Sequence, residues 1–213
     1  MFDIIYKIEN VERKFEVDVI IIGGGVIVAT YYLIRHGEAD YNKLMEYGFF
    51  GFGRDLAPLS EKGIMQANET AKDERLKTAE LIISSPYTRA LQTAQIISKI
   101  TGIEVRVELD LHEWLPDLSN TYTSSQEAFH LTEEFVGCKG VYPKETSKQW
   151  ETLVDMRKRM RRVADKYSEY EKIILVGHGM ALRTLAYIEE MKPAEIVECI
   201  YEKGQEECKY SFY

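Results

Sequence analysis

Four short runs of β-branched and aliphatic residues, at 26–34, 79–83, 103–107 and 173–176, alternate along this chain with segments of helical period. Runs this apolar on successive positions suit strands buried on both faces, and strands separated by helices pair in parallel through crossovers. The alternation predicts an α/β fold: a three-layer sandwich whose mainly parallel sheet is flanked by helices on both faces. Helices are expected over 60–73, opened by the Ser60 N-cap, over 86–100, over 146–167 and over 179–191. The third carries Leu153, Met156, Met160, Val163 and Tyr167 as a buried stripe. Further strands are expected at 196–200 and 209–212. At 213 residues one large domain accounts for the chain, assigned to 28–213, with an N-terminal extension over 1–27 read as an added strand or hairpin. Between Trp114 and Lys144 the periodicity lapses, apart from a short helical stretch near 126–135. A non-repetitive segment of that length reads as a small lid or cap, about 114–145.

Lys and Arg number 27 against 35 Asp and Glu, a net charge of −8. Without a cationic surplus to release counterions, the chain does not read as a nucleic-acid binder or a membrane-surface protein. An anionic ligand must instead be drawn by a local cluster of cations. The basic run Arg157-Lys158-Arg159-Met160-Arg161-Arg162 lies on a helix with an intact apolar stripe, beside Glu151 and Asp155, and reads as a solvated face. The apolar run over 19–34 includes three consecutive glycines and falls short of the roughly twenty residues a spanning helix needs. Glu9, Glu12, Glu16 and Asp18 stand where a signal peptide would carry cations. Three cysteines, Cys138, Cys199 and Cys208, with no CxxC spacing, fit a reducing, cytoplasmic setting. Gly23-Gly24-Gly25 after an apolar run resembles the opening of a dinucleotide fingerprint, but the third glycine of that pattern falls on Val28. No dinucleotide cofactor is expected.

The chemistry gathers where strands end. The first strand runs into Arg35-His36-Gly37-Glu38, the second into Ser84-Ser85-Pro86 ahead of a helix bearing Arg89, and a late one into Gly177-His178-Gly179. In open parallel sheets the loops at the carboxyl ends of strands build the ligand crevice, so these three converge. Helix N-termini there favour an anion. Two arginines add charged, bidentate donors suited to a phosphoryl group. Two histidines supply a nucleophile and a further donor. Together they read as a phosphate site with a nucleophile inside it. The plainer alternative makes Arg35 and Arg89 surface charges and His178 a core histidine. None of the four histidines has HxH or HExxH spacing, and Arg35 beside His36 would repel a divalent cation, so no metal or other cofactor is expected.

These residues, in this order, resemble the histidine phosphatase superfamily, which includes cofactor-dependent phosphoglycerate mutases. The resemblance rests on Arg35-His36-Gly37, on Leu59-Ser60-Glu61-Lys62-Gly63-Ile64-Met65-Gln66-Ala67, and on Ser84-Ser85-Pro86 with Arg89-Ala90 and Gln92-Thr93-Ala94. Leu111-His112-Glu113 and Val176-Gly177-His178-Gly179 complete it, over roughly 28–200. The resemblance implies that His36 becomes phosphorylated, that Arg35, Arg89 and His178 hold the phosphoryl oxygens, and that Glu113 gives a proton to the leaving oxygen, then activates water. It also implies substrate contacts from Asn42 and the backbone N–H of Gly179, otherwise a turn-forming Asn and a helix-starting Gly. The acid role asks for a raised pKa, which Leu111, Trp114 and Leu115 could provide around Glu113. His178 is followed by Gly179 and Met180, not by the Asp typical of the acid phosphatase and phytase branch, which points to the mutase-like branch.

A mutase must also retain a bisphosphorylated intermediate, which calls for extra cations. Between positions 107 and 138 there is no Lys or Arg, while Glu108, Asp110, Glu113, Asp117, Glu127, Glu133 and Glu134 all occur. Net hydrolysis of a phosphomonoester is therefore the expected activity, on a sugar phosphate or similar small substrate or on a phosphoprotein. The alternatives are mutase-type phosphoryl transfer and a non-catalytic module that binds a phospho-ligand. Such a module would usually have lost a catalytic residue, and none is missing. Trp114, Tyr122, Phe129 and the loop Tyr47-Gly48-Phe49-Phe50-Gly51-Phe52 form either an apolar mouth for the leaving group or packing under the lid.

Overall fold

Strands β1 (Val28–Arg35), β2 (Leu81–Ser84), β3 (Val105–Val107), β4 (Lys172–Gly177) and β5 (Ile196–Glu202) form one sheet in the order β3-β2-β4-β1-β5. The computed structural model describes residues 27–143 and 149–212 of the chain, so the extension assigned to 1–27 lies, Ile27 apart, outside the described residues. Four strands are parallel and β5 runs antiparallel at the edge against β1. Register aligns the ends that matter: Arg35 sits opposite Gly177, and Ser84 opposite Val176. The loops after β1, β2 and β4 therefore leave the sheet side by side.

Alternation along the strands splits the core in two. Tyr31, Leu33, Leu81, Ile83, Ile173 and Leu175 face one layer, and Tyr32, Ile34, Ile82, Ile174 and Val176 face the other. The first layer is covered by α5 (Leu153–Tyr167) and α6 (Gly179–Leu182), the second by α3 (Thr88–Thr101) and the Glu74–Thr78 turn. Helices thus lie on both faces, as the sequence pattern implies. Edge strand β5 buries only Cys199 and Tyr201 among its residues, a one-sided pattern fitting its antiparallel edge position.

Helix α2 (Glu61–Thr70) opens as expected, with the Ser60 hydroxyl accepting from Gly63 N–H at 3.0 Å. Its first turn presses against the loop after β1. A Cβ on Gly63 would stand 2.0 Å from the Glu38 carbonyl oxygen, and one on Gly37 would stand 2.5 Å from the Gly63 carbonyl oxygen. Two backbones touch here, and only glycine at both positions allows it.

Several boundaries differ from the sequence pattern. Helix α3 begins at Thr88, because Tyr87 stays extended as its N-cap. Helix α5 begins at Leu153, capped by the Thr152 hydroxyl. Residues 146–148 of the expected helix lie outside the described residues; Trp150 is fully buried and stacks on Tyr142 at 3.9 Å, a packing that holds Trp150 itself out of the helix. Helix α6 stops after Leu182 instead of reaching Met191. There Thr184 returns both its N–H and its hydroxyl to the Ala181 carbonyl, at 3.1 and 2.6 Å, and replaces the helical ladder with tighter turns. Residues 209–212 form no strand; Tyr210 and Phe212 pack instead against the first core layer, Phe212 meeting Phe135 at 5.8 Å. Among the described residues no helix is long and apolar enough to cross a membrane.

Candidate active site

His36 follows β1 directly, its N–H bonded to the Gly177 carbonyl of β4 at 3.0 Å. Its Nδ1 stands 2.7 Å from the Gly37 carbonyl, which can only accept, so Nδ1 carries the proton and Nε2 the lone pair. That lone pair accepts from Arg89 Nε at 3.2 Å. Burial, then the Arg89 charge, lowers His36 to about 3. The imidazole is neutral, the form a nucleophile requires, and its Nε2 lone pair attacks once Arg89 Nε turns from it to a phosphoryl oxygen.

Arg89 comes from the first turn of α3 and is 5% exposed. His178, at the end of β4, is fully buried; its ring centre lies 5.1 Å from that of His36 and its Nε2 2.7 Å from the Ser85 hydroxyl. Burial and the Arg89 charge push it well below its ordinary value, so it too is neutral. Arg35 anchors one end of its guanidinium on the Met191 carbonyl at 2.6 Å. Around the neutral His36, three buried nitrogens have no hydrogen-bond partner among the described residues: Arg35 Nε, Arg89 Nη1 and His178 Nδ1. Leaving a buried donor unmet costs about 1–3 kcal/mol, and the oxygens of a phosphoryl group would meet the two arginine donors and the Nδ1–H tautomer of His178.

A cavity of about 410 Å³ opens over this cluster, with Arg35, His36, Arg89 and Glu113 in its wall. Glu113 is held from behind. Its carboxylate accepts from Trp114 N–H at 2.8 Å, Ala181 N–H at 3.0 Å and Met180 N–H at 3.2 Å. Asn42 opens the short α1 (Asn42–Glu46), is exposed, and stands outside the cavity wall; its backbone N–H bonds the Asp40 carboxylate at 2.9 Å. Gly179 is also absent from the wall and lies behind Arg35, where a Cβ would come 3.6 Å from Arg35 Nε. The aromatic residues divide: Trp114 and Tyr122 line the cavity, whereas Tyr47, Phe49, Phe52 and Phe129 are exposed outside its wall.

The basic run on α5 is not uniformly solvated. Arg159 is 4% exposed and pairs with buried Glu151 through Nε at 2.6 Å and Nη2 at 2.8 Å. Its remaining donors hold the Asp110 and His112 carbonyls, at 2.6 and 2.7 Å, and the Glu113 carbonyl at 3.3 Å. An arginine read from sequence as surface charge is thus the clamp on the Glu113 loop. Breaking the pair leaves its guanidinium buried and unpaired. Glu151→Ala is expected to cost about 3–5 kcal/mol, read as a lowered urea midpoint, and a loss below about 1 kcal/mol would show the pair to be dispensable.

Two further wall residues have no signal in the sequence pattern. The 3₁₀ turn Gly51–Leu56 brings Arg54 and Asp55 to the cavity. Arg54 lies over the Tyr41 ring at 4.7 Å and reaches the Ser125 hydroxyl of α4 (Ser125–Gly137) at 3.2 Å. Asp55 Oδ1 stands 3.7 Å from Arg89 Nη1. Among the described residues no group of three or more His, Cys, Asp or Glu side chains is placed to hold a metal ion.

A neutral histidine, two arginines and a second histidine beneath a cavity are a set suited to phosphoryl chemistry. The comparisons give the family. Residues 31–203 match the histidine phosphatase superfamily, branch 1, and the chain belongs to it. A probable phosphoglycerate mutase of Proteus mirabilis is 31% identical over 163 residues, covering 72% of this chain and 71% of that one. An uncharacterized phosphatase of Bacillus subtilis is 28% identical over 156 residues, covering 72% and 73%. In fold, a mycobacterial glucosyl-3-phosphoglycerate phosphatase superposes with a TM-score of 0.60 at 24% identity, over 80% of this chain and 90% of that one. Transfer through a phosphohistidine is general to this superfamily.

Proposed function

We propose that this chain hydrolyses phosphomonoesters through a phosphohistidine formed on His36. The observation that carries the reading is the pair of unpartnered arginine donors, Arg35 Nε and Arg89 Nη1, with the unpartnered His178 Nδ1, gathered about a neutral His36. His36 Nε2 attacks phosphorus in line as the ester oxygen leaves with a proton from Glu113. Glu113 then takes a proton from the water that attacks the phosphohistidine, releasing inorganic phosphate and restoring the imidazole. The two arginines balance the charge spread over the equatorial oxygens in both steps. Asn42 would need to turn towards the cavity to touch substrate, and Gly179, where a Cβ would meet Arg35 Nε at an ordinary 3.6 Å, has its backbone N–H to offer. The segment 114–145 acts as the lid on a catalytic domain formed by residues 28–213, since Trp114, Asn120, Tyr122 and Thr132 all stand in the cavity wall.

The substrate is best read as a small phosphorylated metabolite. A cavity of about 410 Å³ walled by the lid suits a compact leaving group better than a phosphoprotein loop. Hydrolysis is favoured over mutase transfer because, among the described residues, no lid residue in the cavity wall is a cation, and Arg54 is the one cation there beyond Arg35 and Arg89. Three free cysteines support a reducing, cytoplasmic location. A panel of phosphomonoesters assayed without added metal tests the reading; no turnover on any, with phosphate still bound, would leave a binding module.

The acid is tested separately. Glu113→Gln should slow hydrolysis of alkyl phosphates far more than that of p-nitrophenyl phosphate, whose leaving group barely needs a proton, by roughly 10²-fold against a fewfold. Equal losses on the two would move the acid role elsewhere.

A further inference from the structure

Asp55 has no part in the mechanism above, yet it shares the cavity with His36 and touches the chief phosphate-binding cation. Its Oδ1 stands 3.7 Å from Arg89 Nη1, the same nitrogen that lacks a hydrogen-bond partner, and its side chain is 21% exposed. The Tyr87 side chain lies beside the carboxyl and favours its ionised form. A carboxylate here helps to hold Arg89 while the cavity is empty. It becomes a liability when a phosphoryl dianion arrives, because a third negative charge then sits across the same guanidinium.

Resting on the phosphate-site reading above, we propose that Asp55 takes up a proton as a phosphoryl dianion binds, leaving the Arg89 charge wholly to the phosphoryl group. The balance is simple: one solvent proton converts carboxylate to carboxyl for each dianion bound. Asp55 is poised for this. Burial lifts it to about 6 against the opposing pull of Arg89, Tyr87 and Arg54, so it is largely ionised at neutral pH but close to protonation. The groups facing it are Arg89 and Tyr87 from the start of α3, Tyr122 from the lid and Arg54 from its own turn, with His36 on the far side of Arg89. A bound dianion pushes the carboxyl up from about 6. Anion affinity must then rise as pH falls through the bound-state value, and level off below about 6. Asp55 thus makes the site take its ligand as dianion plus proton.

Sulfate, which stays a dianion across the neutral range, is the probe, because its own titration cannot mimic the effect. Calorimetry at about pH 7 in buffers of different ionisation enthalpy should show most of one proton taken up per sulfate bound by the full chain. Asp55→Asn should abolish that uptake, tighten sulfate roughly tenfold at this pH and flatten the affinity profile. Tyr87→Phe removes the hydroxyl that lowers Asp55, so the level region should begin at higher pH even if the first variant folds poorly. Uptake that persists in Asp55→Asn would assign the proton to the histidines and overturn the proposal, as would sulfate binding without uptake in the wild-type chain. Sulfate that fails to bind the wild-type chain sinks the phosphate-site reading itself.

Discussion

His36→Ala is expected to abolish turnover, by at least about 10⁴-fold in kcat, because it removes the nucleophile and not merely a binding contact. Direct attack of water on a phosphomonoester dianion is slow, and two displacements at a neutral imidazole divide that barrier. The geometry selects one nitrogen: Nδ1 is committed to the Gly37 carbonyl, so phosphorylation should fall on Nε2. Quenching during turnover should trap a phosphoramidate that survives base and is lost in acid, on the peptide containing His36. The alanine variant should lose that label together with activity. His130→Ala, on an exposed face of α4 beside Glu133, should keep both. A label on His178 instead, or full activity in His36→Ala, would falsify the assignment. His178 is a poor nucleophile by position, since it is fully buried with Nε2 turned to the Ser85 hydroxyl.

Arg89→Ala should lower kcat/KM by at least about a hundredfold, the scale of losing a preorganised contact to transition-state charge. This arginine does more than meet a phosphoryl oxygen. Its Nε rests on the attacking nitrogen, and its charge helps to keep His36 neutral. Without it the His36 value should climb from about 3, so the acid limb of the rate profile should move to higher pH. The fold should survive, because the buried guanidinium already leaves Nη1 without a partner. Turnover within a fewfold of wild type would remove Arg89 from the site.

The sequence by itself determined the four parallel strands and the three loops that carry Arg35, His36, Arg89 and His178, but not the strand order, the antiparallel course of β5 or the absence of a strand at 209–212. Those signals are local. A strand is written in consecutive apolar residues, and its carboxyl end fixes where the next few side chains go. The tertiary structure alone decided which of the remaining charges matter. Arg159 reads as one cation in a basic run, and only the fold, across 46 residues, turns it inward onto the Glu113 carbonyl. Arg54 and Asp55 lie in a 3₁₀ turn with no periodicity, and their partners Tyr41, Ser125 and Arg89 come from three other segments. The end of α6 was hidden for the same kind of reason: one threonine hydroxyl competing for a carbonyl is not a pattern a window of sequence records. Strand and helix follow from near neighbours along the chain, whereas burial of a charge depends on which distant segment packs over it.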